Sequence, residues 1–218
     1  MNSGSINNKG EAQLFKNPVL ETLTKTRPWV IYIIYLPISG WMLFYSFHTL
    51  GFSISFITGL FIAAVCTWTL FEYFAHRYLF HFNAQSELGQ RIVYIFHGNH
   101  HEYPRDKNRL FMPPFPSVIL AITVFSIIWC FSYLFTNTGN YAFIFFPGFI
   151  TGYLIYVSIH YAIHAFAPPR RLKALWRNHN LHHYKYPDKA FGVSSPFWDI
   201  VFQTQPAKEA SPSKNTLE

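Results

Sequence analysis

Charge is what this sequence has least of. Only 12% of its 218 residues are Asp, Glu, Lys or Arg, about half the share of a soluble domain. That shortage excludes an ordinary water-facing surface and points to lipid. Cysteine is almost absent. Cys66 and Cys130 both fall in apolar runs, which excludes a disulfide framework or a Cys-x-x-Cys motif and leaves two expected buried space-fillers. The opening stretch MNSGSINNKGEAQLFKNPVLETLTKTRP has no compact apolar segment before a small-residue site, so a removable signal peptide is not expected. Tandem repeats and low-complexity tracts are missing too. The closing QPAKEASPSKNTLE is polar with Pro and Ser and reads as a loose tail, as do the first residues through about Gly10.

Apolar residues make up 50% of the chain and aromatic ones 20%. Four stretches, 30–47, 54–71, 118–135 and 141–159, run 18 or 19 residues without a charge. At about 1.5 Å per residue each reaches roughly 27 Å, close to a hydrocarbon core of about 30 Å. Lipid offers the backbone no hydrogen bonds, so these runs are expected to be helices. Pro37, Gly40, Pro147, Gly148 and Gly152 are expected to bend them without ending them. The connections HTLGFS and TNTGN contain no Lys or Arg, and all 17 basic residues fall on the other side. The positive-inside rule assigns that side to the cytoplasm. The expected fold is an all-α integral membrane protein: four transmembrane helices in two hairpins beneath a cytosolic helical cap. Residues 1–28 form a cytosolic arm, 29–205 the membrane domain and 206–218 a flexible tail. Topology and phospholipid contact account for the net charge of +7, and no nucleic-acid partner is expected.

Of eleven histidines only His48, in an outer loop, stands alone. The rest form His76-x4-His81, His97-x2-His100-His101, His160-x3-His164 and His179-x2-His182-His183. Two membrane hairpins deliver all four groups to one side. Residues three or four apart share a helix face, so His97 can cooperate with His100 or His101, His160 with His164, and His179 with His182 or His183. Adjacent histidines point about 100° apart and can serve different ions. A spacing of five turns about 140° on an ideal helix, so His76 and His81 are expected to face different ions or to flank a local unwinding. Ten imidazoles exceed what one ion needs, and two ions with about five each fit the count. Structural zinc takes four ligands, often thiolates. An all-nitrogen pair of irons beside a lipid tail suits O2 activation and hydroxylation of an alkyl chain instead.

The histidine groups resemble those of the membrane fatty acid hydroxylase/sterol desaturase superfamily. Within it, HGNHHEYPRDKNRLFMPP (97–114) and HNLHHYKYPDKAFGVSSPFWDIVFQT (179–204) resemble two blocks of the fatty acid 2-hydroxylases. The likeness runs from about 28 to 205. It implies four membrane helices and a two-metal centre held by His76, His81, His97, His100, His101, His160, His164, His179, His182 and His183. It also implies O2-dependent hydroxylation next to a fatty acyl carbonyl, often in a ceramide-type sphingolipid. Iron is the expected active metal, and zinc can occupy such sites. Eukaryotic members commonly carry a cytochrome b5-like domain, for which the arm is too short. A separate ferredoxin or cytochrome is therefore expected to supply electrons. KNTLE has no dilysine or KDEL-type signal, and the expected location is a bacterial inner membrane with the termini and the site cytoplasmic.

Five other residues are candidates for supporting roles, and a sixth for substrate entry. Glu72 lies one turn before His76 and is placed either to orient an imidazole, to reach the interface or to pair with Arg77. Asn99 and Asn180 sit inside the histidine trios, where they can bond a metal-bound water or cap a turn. Tyr161 follows His160 and either assists the centre or packs. Asp199 is a candidate partner for a histidine or an Arg, and Trp198 a candidate lining for substrate entry. The rival functions are a sterol or carotenoid hydroxylase or desaturase, and a non-enzymatic haem or metal membrane protein.

Overall fold

The computed structural model describes residues 6–207, and every regular element among them is helical. A short α1 (Pro18–Leu23) is capped by Asn17, whose side chain accepts from the Val19 and Leu20 amides. Four helices are long and apolar enough to cross a membrane: α2 (Pro28–His48), α3 (Ile54–Phe74, continuing to Phe80), α6 (Pro114–Thr136) and α7 (Ala142–Ala165). They form two hairpins, α2 with α3 and α6 with α7. Between them lie α4 (Glu87–Val93) and α5 (Asn99–Glu102), and after them α8 (Lys173–Tyr184) and α9 (Phe197–Val201). This is an all-α membrane protein with a helical cap at one end of the bundle.

The centre of the bundle is α7. More than half of its apolar window, 56%, is buried, against 6% for α6. Gly148 and Gly152 explain how α3 comes so close. A Cβ at Gly148 would stand 2.5 Å from the Phe61 carbonyl oxygen, and one at Gly152 2.4 Å from Trp68 Cβ. In lipid such backbone approach, not a hydrophobic force, drives helix association. On the other side Ile31, Tyr35 and Met42 of α2 pack against Phe146, Ile150 and Leu154. Tyr32 OH bonds to Ser158 Oγ at 2.6 Å and Tyr35 OH to Ser117 Oγ at 2.7 Å, each worth about 0.6 kcal/mol in a bilayer. Pro37 and Pro147 sit inside α2 and α7 without ending them.

The two cysteines depart from expectation: Cys66 and Cys130 are both exposed, on outward faces of α3 and α6. In a membrane helix the outer face is as apolar as the core, so an apolar run does not signal burial. The arm departs as well. Residues 6–17 lie along the cap instead of hanging free. The Asn7 amide donates to the Glu102 carbonyl at 2.7 Å, and Tyr184 OH to Asn8 Oδ1 at 2.7 Å. The Ala12 amide donates to Asp106 Oδ2 at 3.2 Å. Ala12 and Leu14 are buried. A polar composition at the chain start hides these two anchors. The expected tail of 206–218 lies outside the described residues from 208 onward.

Candidate metal centre

Two of the four histidine segments begin where the chain leaves α-helical geometry. After Phe74, residues Ala75–Phe80 form a π-helical turn, closed by the His81 amide donating to the His76 carbonyl five residues back at 3.2 Å. A π turn stacks residues five apart as an α turn stacks those four apart. His76 and His81 therefore share a face and one group, so the local unwinding is present and the facing of different ions is not. A second π turn, Tyr94–Gly98, carries His97 into α5. Asn99 Nδ2 donates to the Tyr94 and Ile95 carbonyls at 2.9 and 2.7 Å, tying its side chain back onto the widened turn. His160 and His164 occupy the last two turns of α7, and His179, His182 and His183 one side of α8.

The ten rings gather into two groups of five, each with ligand nitrogens within 4.8 Å of one another and each able to hold a metal ion. One contains His76, His81, His97, His101 and His182; the other His100, His160, His164, His179 and His183. Adjacent residues diverge: His100 and His101 join different groups, as do His182 and His183. In the first group Nε2 atoms stand 3.1 Å apart for His76–His97, 3.0 Å for His97–His101 and 3.1 Å for His81–His182. In the second they are 2.9 Å for His100–His160, 2.9 Å for His164–His179 and 3.1 Å for His179–His183. At a metal–nitrogen length of about 2.1 Å, ligands at right angles stand about 3.0 Å apart and tetrahedral ones about 3.4 Å. The donor sets thus fit a five- or six-coordinate ion better than a tetrahedral structural zinc.

Protonation agrees. Burial, reinforced by neighbouring imidazoles, holds His97, His100, His101, His179, His182 and His183 well below the usual imidazole range. His81 is pushed down to about 2 by the same causes. Neutral rings are the form that binds metal. His76 Nδ1 contacts the Phe191 carbonyl at 2.6 Å and His182 Nδ1 the Lys189 carbonyl at 2.7 Å. A carbonyl only accepts, so the proton of each neutral ring sits on Nδ1 and the Nε2 lone pair faces inward.

The remaining candidates play different parts. Glu72 is buried and reaches neither an imidazole nor Arg77. Its Oε1 accepts from the Val193 and Ser194 amides at 2.7 and 2.8 Å, and its Oε2 from Ser194 Oγ at 2.5 Å. Asp199 is also buried and accepts from the Phe191 and Gly192 amides at 2.9 and 2.8 Å and from Thr204 Oγ1 at 2.7 Å. Arg77 instead donates to Tyr73 OH at 2.8 Å. Asn180 is exposed on α8. Tyr161 packs between Phe111 and Phe166, at centroid distances of 5.8 and 6.2 Å. Trp198 is partly buried and donates Nε1 to Thr69 Oγ1 at 3.0 Å, and His48, expected in a loop, instead ends α2 and rests against Phe44. Sequence reasoning misses the carbonyls of Lys189 and Phe191, because a backbone acceptor has no side-chain signature.

Comparison with known proteins places this architecture. A fatty acid hydroxylase family model matches residues 61–204, and the chain belongs to that family. It is 35% identical to the dihydroceramide fatty acyl 2-hydroxylase FAH1 of Arabidopsis thaliana, over 94% of this chain and 84% of that one. It is 36% identical to the ceramide very long chain fatty acid hydroxylase SCS7 of Saccharomyces cerevisiae, over 96% of this chain but 53% of that protein. The fatty acid 2-hydroxylase of Rattus norvegicus is 32% identical, with 92% and 58% covered. The chain thus spans most of the plant relative and little more than half of the yeast and rat ones. The solved structure of full-length scs7p, in which only the hydroxylase domain is visible, superposes with a TM-score of 0.83 at 36% identity, covering 93% of this chain and 75% of that one. These relatives are eukaryotic and lend no support to a bacterial inner membrane; membrane embedding is what the fold and the family retain.

Proposed function

We propose that this protein hydroxylates the 2-position of a fatty acyl chain in a ceramide-type lipid or a fatty acid. The observation that carries the regiochemistry is depth. His76 lies just past α3 and His160 and His164 in the last turns of α7, so the centre sits where acyl chains meet headgroups. The 2-carbon is one bond from the polar carbonyl and naturally rests at that depth, whereas a mid-chain carbon lies well inside the bilayer. Identity of 30–37% to relatives named as 2-hydroxylases or ceramide fatty acid hydroxylases supports the same substrate class.

Each group of five histidines is taken to hold one metal ion, iron in the active enzyme. When bound, the pair supplies the means to activate O2; one oxygen enters the C–H bond and the other leaves as water, using two protons and two electrons from a donor of the ferredoxin or cytochrome type. The protein contributes neutral Nε2 donors, those of His76 and His182 fixed in direction by backbone carbonyls, and a dry surround. Phe191 lies 5.7 Å from the His76, His81 and His182 rings, Phe80 stacks on His97 at 5.2 Å, and Tyr156 lies parallel to His160 at 5.8 Å. Apolar walls of this kind exclude bulk water and strengthen the electrostatics within. All described Lys and Arg residues lie on the cap side of the bundle, a distribution that supports reading the cap as cytoplasmic under the positive-inside rule.

Expression with a redox donor is expected to raise 2-hydroxy acyl lipids in the host. Lipid mass spectrometry that locates the new oxygen is the test, and oxygen at another carbon sinks the regiochemical claim in favour of another superfamily oxidation.

A further inference from the structure

Two buried carboxylates grip one loop. Glu72, on α3, holds the amides of Val193 and Ser194, and Asp199, on α9, holds those of Phe191 and Gly192. Four consecutive amides are thereby fixed. Gly192 permits the grip, because a Cβ there would stand 2.1 Å from the Ser195 carbonyl oxygen and 2.9 Å from Asp199 Oδ2. Thr204 Oγ1 donates to Asp199 and contacts Tyr73 OH at 3.0 Å, which in turn accepts from Arg77. The same loop presents the Phe191 carbonyl to His76, and the Lys189 carbonyl just before it meets His182. Both of these rings belong to the first histidine group.

The second group has less of this support. His160 faces the Leu110 carbonyl, but His179 Nδ1 and His183 Nδ1 are buried with no hydrogen-bond partner among the described residues. Their rings are set by packing and by their helix alone.

We propose that the two metal positions are unequal: the His76 group is a firmly held site, the His100 group a looser and more exchangeable one, and Glu72 and Asp199 are positioning residues of the first through the loop they grip. This rests on the two-metal reading above. Partners in the outer shell of a metal commonly change affinity 10–100-fold, and here the carbonyls held by a braced loop, those meeting His76 and His182, both serve the first group.

The test is metal release from the full chain in lipid nanodiscs, loaded with Co(II) and challenged with a chelator, with bound metal counted by elemental analysis over time. Release is expected in two steps of one ion per chain. His179→Ala should remove the fast step and His182→Ala the slow one. Asp199→Asn places an N–H2 against a backbone N–H and should speed the slow step roughly 10–100-fold, leaving the fast one within about twofold. Glu72→Ala should do the same, whereas Glu72→Gln keeps its acceptor for both amides, lets Ser194 Oγ accept in place of donating, and should preserve the slow step. Should Glu72→Ala fail to fold, Thr204→Val makes the same comparison through Asp199. Release of both ions in a single step, or equal acceleration of both by Asp199→Asn, overturns the inequality. A chain that binds no metal overturns the two-metal reading instead.

Discussion

Between α3 and α7 the helices touch through bare backbone and rings, with Gly148 against Phe61 and Gly152 against Trp68. In the cap, by contrast, most of the histidine-bearing segments are tied by a named polar bond: Asn99 to two carbonyls, Glu72 and Asp199 to four amides, His76 and His182 to two carbonyls. The bundle needs only that surfaces fit, because lipid on the outside and side chains on the inside are chemically alike. The cap must hold ten rings near positions that only directional bonds can define. Error tolerance should therefore fall steeply from the lipid-facing helices to the loop at 189–194.

The largest effect is expected where a ring itself is removed. His182→Ala should abolish turnover and reduce bound metal from two ions per chain toward one, read by elemental analysis beside a lipid hydroxylation assay. Unchanged stoichiometry would remove His182 from the ligand set. Next comes Gly192→Ala. The added methyl cannot share space with the Ser195 carbonyl oxygen 2.1 Å away, so the loop must move and take the Phe191 carbonyl from His76. Turnover should fall roughly 10–100-fold while the chain still inserts and extracts as a folded protein. Activity within twofold of wild type would mean that the loop is not a positioning element.

Much of this contrast is legible in the sequence, but not evenly. Charge-free runs locate all four membrane helices, and each helix is a few residues longer than its run because Pro28, Pro114 and the histidine segments extend them at the cap side. Three- and four-residue steps offer each trio two pairings, and both trios take the four-residue step, His97 with His101 and His179 with His183, as the His160–His164 pair does. His76 and His81 resist, because a π turn has no compositional mark and an ideal helix sends them apart. Glu72 stands out as an acid one turn from His76 and Asp199 as an acid in the closing block, yet their partners are amides, which every residue but proline owns. Exposure of Cys66 and Cys130 is equally hidden, because apolar composition cannot tell core from lipid.

A step down in effect lies at the α3–α7 seam. Gly152→Leu would drive a side chain into Trp68, whose Cβ would stand only 2.4 Å from the first added carbon. Overpacking of this kind costs about 1–3 kcal/mol, and the helices must part to relieve it. Thermal inactivation in nanodiscs should begin several degrees lower, with the histidine rings and metal content intact at low temperature. Loss of metal in parallel with stability would mean that the bundle and the cap are not the separable layers described above.

The smallest effect belongs to α6, and it sharpens the contrast most because the residues involved are so large. Leu134 is 73% exposed and Ile122 61%, on a helix that is only 6% buried. In water such faces would be a liability, and truncating them would alter solubility. In lipid each side chain exchanges one apolar neighbour for another, so Leu134→Ala and Ile122→Ala should shift stability by no more than about 0.5 kcal/mol. Ile150, of similar size and buried on α7, should cost about 2–5 kcal/mol when cut to alanine. Measured side by side in the same nanodiscs, the pair isolates burial from hydrophobicity. A comparable loss at Leu134 would mean that α6 has a partner on its outer face, a second copy or a tightly bound lipid, whose removal the truncation reports.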